Sequence, residues 1–254
     1  MRKIVGLLGL VAALAGCGGT AGTNAAASPA QSSTSPATST PPTQPTQKPV
    51  PTGPNVSGCF TEADGKIFTH GDDLPGVIAG KGAVGVVITY ERRGNVCSWR
   101  PISDRLVAAG YRVLLYARTS TMSPLDTTLD MAERLGKEKG VERVFLMGGS
   151  IGATVAATAA LELDNVAGVV ALSGEIDAAD AAKLTVPLLQ VGSEHDSYGG
   201  ADDLRDADAA ASKSPAHEVM VVEGESMHAS VLFGSPHGPA VLDRIVTFMD
   251  RHKG

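Results

Sequence analysis

The run Val144–Leu163, VFLMGGSIGATVAATAALEL, constrains this chain more than any other stretch. Val144 to Met147 is apolar, short and β-prone enough for a buried strand. The pattern breaks at Gly148-Gly149-Ser150-Ile151-Gly152, then resumes as Ala-rich sequence of high helix propensity with few polar side chains. A strand, a sharp turn and a helix are therefore predicted, with Ser150 at the apex. The glycines have a steric reason. A serine at the tip of so tight a turn holds a strained backbone, and side chains two residues before and after it would collide with neighbouring turns. The turn also sets Ser150 at a helix N-terminus, where unpaired N–H groups and the positive dipole end favour an oxyanion. Glycine fills 30 of 254 positions, so a bare G-x-S-x-G carries little. Its placement between an apolar strand and a small-residue helix makes it a nucleophile-elbow pattern.

The chain opens with Met1-Arg2-Lys3 and an apolar run, Ile4 to Leu14, too short to span a bilayer but suited to a signal-peptide core. It ends in Leu14-Ala15-Gly16-Cys17, which resembles the lipobox of bacterial lipoproteins. The resemblance implies that residues 1–16 are removed and that Cys17 carries a diacylglyceryl thioether, usually with an acylated amino group. Two or three acyl chains, at about 0.8 kcal/mol per buried CH₂, make a stable anchor where one would not. Residues 17–57 are dominated by Ala, Ser, Thr, Pro, Gln and Gly, with Lys48 the one charged residue. Such a segment cannot bury enough apolar area to offset its chain entropy, so a disordered tether is expected. The localisation implied is exported, with the domain held to the cell membrane or envelope of a bacterium.

Residues 58–254 make one domain, long enough for a sizeable core. The formal charge of −6, or −8 once Arg2 and Lys3 leave, comes without a Lys/Arg stripe and argues against a nucleic-acid partner. Cys59 and Cys97 are the two remaining cysteines, neither in a metal-ligand spacing. In an exported chain they are candidates for one disulfide, although sequence separation says nothing about geometry. No metal site and no cofactor is read from the sequence. Strand-like segments fall at 59–69, 74–79, 83–90, 111–116, 142–147, 166–172, 186–191 and 217–222, and helical patterns at 99–109, 126–139, 152–163, 201–212 and 238–252. This alternation predicts an α/β class: a doubly wound, mostly parallel sheet of about eight strands, with function at the loops leaving the strands' carboxyl ends.

Those loops hold partners for Ser150. The strand Val186–Val191 empties into Gly192-Ser193-Glu194-His195-Asp196, and the strand ending at Val222 into Glu223-Gly224-Glu225-Ser226-Met227-His228. A carboxylate follows one strand and a histidine the next, in the chain order Ser, acid, His. On these residues the domain resembles the α/β-hydrolase family over nearly all of 59–254. The resemblance implies Gly148 to Gly152 as the elbow, Asp196 as the acid, His228 as the base and 238–252 as the closing helix. In chemical terms a hydroxyl at its free pKa is a poor nucleophile and needs a base in reach. His228 would take the Ser150 proton and return it to the leaving group, and Asp196 would orient the ring. Glu194 or Asp177 as the acid, and His237 as the base, remain alternatives that order and loop position disfavour. His70, His195, His217 and His252 fall at positions better suited to the surface.

The chain departs from the family where many members carry His-Gly after the third strand. Here the strand ends Ile88-Thr89-Tyr90 and continues Glu91-Arg92-Arg93-Gly94. One oxyanion donor would be the backbone N–H of Ile151. The second would come from near Tyr90, Glu91 or Arg92. Arg92 and Arg93 are read as solvated loop charges rather than as an anion site. About a dozen residues separate the strand ending near Ser173 from the one starting at Val186, so no large cap domain is expected. An open site suits small esters or acyl groups and favours hydrolysis. With five Phe, four Tyr and one Trp, a broad aromatic lipid-binding surface is not expected. Two classes follow. One is a lipid-anchored serine hydrolase of carboxylic esters, with thioesterase or peptidase variants. The other is a non-catalytic relative that binds a ligand or partner at the cell surface.

Overall fold

A computed structural model describes residues 58–92, 94–119 and 121–254. The signal, Cys17, the tether and Arg93 lie outside the described residues. Eight strands form one sheet in the order β1-β2-β4-β3-β5-β6-β7-β8. They are β1 (Gly65–His70), β2 (Leu74–Ala79), β3 (Val84–Thr89), β4 (Arg112–Tyr116), β5 (Arg143–Gly149), β6 (Val166–Leu172), β7 (Leu188–Ser193) and β8 (His217–Val222). β2 is antiparallel to both β1 and β4, and every pairing from β4 through β8 is parallel.

Successive strand residues face opposite sides, so each central strand feeds two cores. Val86, Ile88, Phe145 and Met147 pack with Ile102 and Leu106 of α1 (Arg100–Ala108) and with Ile245, Phe248 and Met249 of α6 (Gly238–His252). On the other face Val87, Val144 and Leu146 meet Met131 and Leu135 of α2 (Pro124–Gly136) and the alanines of α3 (Ile151–Ala159). The alanines matter for distance. Ala153, Ala156, Ala157 and Ala159 are all buried and have no bulk to hold the helix off the sheet. Two shorter helices, α4 (Ala178–Ala181) and α5 (Ala201–Ala210), complete the layers. Only α4 intervenes between β6 and β7, so no cap domain is inserted there.

Several boundaries differ from expectation for identifiable reasons. The strand expected over 59–69 begins only at Gly65, because Thr61 to Asp64 form a turn in which Asp64 accepts from the Thr61 N–H at 2.8 Å. Arg100 closes this turn by donating to the Cys59 carbonyl and to Asp64. The Cys59 and Cys97 sulfurs form a disulfide across it, with Cα atoms 5.5 Å apart. At the elbow, β5 runs two residues further than expected, since Gly148 and Gly149 pair with Ala171 and Leu172. Two 3-10 turns, Val96–Trp99 and Ala229–Gly234, were not anticipated.

Candidate active site

Ser150 stands at the tip of the β5–α3 turn with φ 55° and ψ −129°. Its N–H donates to the Leu172 carbonyl at 2.8 Å, which ties the turn to the end of β6. The glycines around it are sterically required. A Cβ on Gly148 would overlap the Gly152 carbonyl and stand 2.7 Å from the Ala153 nitrogen. A Cβ on Gly152 would overlap the Thr89 carbonyl oxygen and stand 2.8 Å from its carbon. Gly152 therefore lets the elbow sit directly against the end of β3, where the Tyr90–Gly94 loop begins. Ile151 opens α3, so its N–H has no acceptor within the helix.

The structure brings Asp196 and His228 together. His228 Nδ1 lies 2.8 Å from Asp196 Oδ2, and Asp196 Oδ1 accepts from the Tyr198 N–H at 3.2 Å. The Asp196 side chain is 4% exposed and that of His228 35%, a sheltered carboxylate beside a reachable ring. The Tyr198 ring stands edge-on to the imidazole at 6.2 Å. Two buried serines hold the backbone on either side of His228. Ser193 Oγ donates to the Met227 carbonyl at 2.6 Å, and Ser173 Oγ accepts from the Ala229 N–H at 2.9 Å. The Ala229 side chain lies against Gly149, the residue before Ser150. This packing sets His228 beside the elbow. Among the described residues Ser150 Oγ and His228 Nε2 make no hydrogen bond.

Backbone strain concentrates here. Of the four non-glycine residues with positive φ among the described residues, three are Ser150, Ser173 and Ala229. Such conformations cost on the order of 1–3 kcal/mol each and persist only where the surroundings enforce them.

The alternative acids and base are engaged elsewhere. Glu194 accepts from the Gly224 N–H at 2.8 Å, Asp177 caps α4, and His237 pairs with Glu225 at 3.3 Å. His217 pairs with Asp208, and His70 bonds the Ala117 carbonyl at 2.7 Å.

Glu91 and Tyr90 have side-chain roles beyond the donors expected of their backbone. Glu91 turns inward: Trp99 Nε1–H donates to its Oε2 at 2.8 Å and Ser230 Oγ donates to its Oε1. Trp99 is fully buried and lies under Gly149, where a Cβ would come within 2.6 Å of its ring. One carboxylate thus links the loop after β3, the entry to α1 and the segment following His228. Tyr90 is buried, and its Oη accepts from the Arg118 N–H at 2.9 Å. Ser173, Ser193, Trp99 and Arg118 were not singled out from sequence. The signal for the serines was a hydroxyl ending each of two apolar strands.

Neither family models nor curated protein sequences match the chain significantly. Solved structures do. An esterase from Pyrococcus furiosus superposes with a TM-score of 0.65 at 17% identity, covering 79% of this chain and 99% of that one. A monoacylglycerol lipase from Paleococcus ferrophilus gives 0.60 at 15% identity over 70% and 99%. Est1E from Butyrivibrio proteoclasticus gives 0.61 at 14% identity over 73% and 98%. With its eight-stranded, mostly parallel sheet and alternating helices, the domain has the α/β-hydrolase fold.

Proposed function

We propose that the chain is a serine hydrolase of carboxylic esters, working through Ser150, His228 and Asp196. The observation that carries this reading is the sheltered Asp196 carboxylate bonded at 2.8 Å to the partly exposed His228 ring beside a strained serine elbow. His228 Nε2 accepts the Ser150 proton as Oγ attacks the ester carbonyl carbon. The negative charge that develops on the carbonyl oxygen is held by the Ile151 N–H and a second N–H from the Tyr90–Glu91 segment. Collapse expels the alcohol, which takes the proton from His228, and leaves an acyl-Ser150 ester. Water then attacks that ester with His228 again as base, and Ser150 regains its proton as the acid departs. Asp196 stays ionised and stabilises the imidazolium. In the same proposal, acylated Cys17 tethers the enzyme to the outer face of a bacterial membrane.

The absence of a Ser150–His228 hydrogen bond among the described residues is what a non-catalytic ligand-binding reading has in its favour. In free enzymes such bonds are often long and tighten only when substrate fills the site. A fluorophosphonate probe separates the two readings, because only an activated hydroxyl reacts. Covalent labelling of wild-type protein at Ser150, abolished in Ser150→Ala and His228→Ala, is the expected result. Unlabelled, folded wild-type protein supports the binding protein instead.

A further inference from the structure

A cleft of about 450 Å³ opens beside Ile151, walled by Tyr90, Arg92, Arg118, Thr119 and Met122 among others, and none of its lining residues is acidic. Its volume falls in the range of small-molecule sites. Arg100, Arg105, Arg205, Arg244 and Arg251 all reach a carboxylate. Among the described residues Arg92 and Arg118 reach none, and neither do Arg112, Arg134 and Arg143, but the clefts that Arg112 and Arg134 line also hold carboxylates, whereas this one holds none, in a chain whose net charge is −6.

Arg118 is also held in place. Its guanidinium stacks 4.8 Å from the centroid of the Tyr90 ring, one Nη donates to the Tyr90 carbonyl, and its backbone N–H bonds Tyr90 Oη at 2.9 Å. Its Nε is buried without a hydrogen-bond partner. A guanidinium so fixed cannot swing away to find a surface carboxylate, and its fork is matched to a planar anion. Pro124 and Ile151, the first residues of α2 and α3, both line the cleft, so two helix N-termini add their positive ends to it.

We propose that this cleft is an anion subsite and that the substrate is an ester whose acyl part carries a carboxylate. This rests on the hydrolase reading above. The acyl side follows from the chemistry. His228 must protonate the departing alcohol, so the alcohol lies on the His228 side, whereas the cleft is lined by Ile151 and Tyr90 and not by His228. Two guanidiniums suit a single carboxylate, and the acidic chain disfavours a polyanion. From sequence alone Arg92 reads as a solvated loop charge, because nothing in the sequence places Arg118, twenty-six residues on, at the same cleft.

The test compares monoethyl succinate with ethyl 4-methylpentanoate, whose isopropyl end copies the shape of the carboxylate, by pH-stat titration of the full chain. Wild-type protein is expected to favour the anionic ester in kcat/KM by about tenfold or more, the scale of one charge-assisted bond. The ratio of the two esters should fall towards unity in Arg118→Gln and be reduced in Arg92→Gln. Because the ratio is taken within each variant, any loosening of the Tyr90 loop in Arg118→Gln divides out, and exposed Arg92 gives an independent variant. Equal use of the two esters by wild type, or a ratio that survives both substitutions, overturns the subsite while the hydrolase reading stands. Turnover of neither ester also overturns it, and fluorophosphonate labelling then shows whether the hydrolase reading falls with it.

Discussion

Gly152 carries more of the site than its lack of a side chain suggests. A Cβ there would overlap the Thr89 carbonyl, so the elbow and the end of β3 can only meet through a glycine. The clash is with backbone, which cannot rotate aside as a flexible side chain can. Gly152→Ala should therefore destabilise the domain by about 1–3 kcal/mol through overpacking and displace Ser150 from the Tyr90 loop. A lowered thermal midpoint together with reduced kcat is expected, and a variant equal to wild type in both would contradict the packing. This much was legible in the sequence, since glycines two before and two after a serine have few other reasons to occur after a buried strand. Ser173 and Ser193 were not legible. Each looks like a polar residue closing an apolar strand, and its work is done on residues 56 and 34 positions away.

Among the elements, the strands were the most readable, because buried parallel strands are nearly continuous apolar runs. Helix α4 and the two 3-10 turns were missed because they are too short to show a period. The purpose of the Tyr90–Gly94 loop was hidden for another reason: its partners come from two distant segments. Glu91 ties Trp99 to Ser230, and removing the carboxylate leaves a buried indole N–H and a hydroxyl without their acceptor. Glu91→Ala should lower kcat on the order of tenfold to a hundredfold through a displaced His228 loop, with KM little changed. Glu91→Gln, which keeps an acceptor oxygen, should restore much of it. A fall in stability with kcat intact would reduce Glu91 to a structural role. The disulfide acts on the same region, since Cys97 lies in the turn that ends at Trp99. It closes a loop with a sequence separation of 38. Its removal in Cys97→Ser should cost about 2–4 kcal/mol on the chain-entropy model, read as a shifted urea midpoint. An unshifted midpoint would show that the bridge does not constrain the unfolded chain.

At the scale of the whole molecule, the strand order places the ends of β3, β5, β6, β7 and β8 along one edge, and the proposed triad and oxyanion donors come from the segments leaving β3, β5, β7 and β8. The parallel direction of the strands was legible from their alternation with helices, and with it the side on which chemistry should be sought. Which arginines share a cleft was not, because that depends on how β3 and β4 exchange order in the sheet. The tether is argued from residues 1–57 alone. If Cys17 is lipidated, membrane-extracted protein should exceed the mass of the chain from Cys17 onward by two or three acyl chains, and Cys17→Ser should release or misprocess it. An unmodified mass would end that proposal. The central claim is that Ser150, His228 and Asp196 act as one unit. It is tested most directly by kcat/KM toward a short p-nitrophenyl ester in Ser150→Ala, His228→Ala, the double variant and Asp196→Ala, each beside its thermal midpoint. The account predicts near-complete loss in either single variant, a double variant hardly worse than either, and a milder loss for Asp196→Ala, with midpoints little changed. Full activity in a folded Ser150→Ala protein would contradict it.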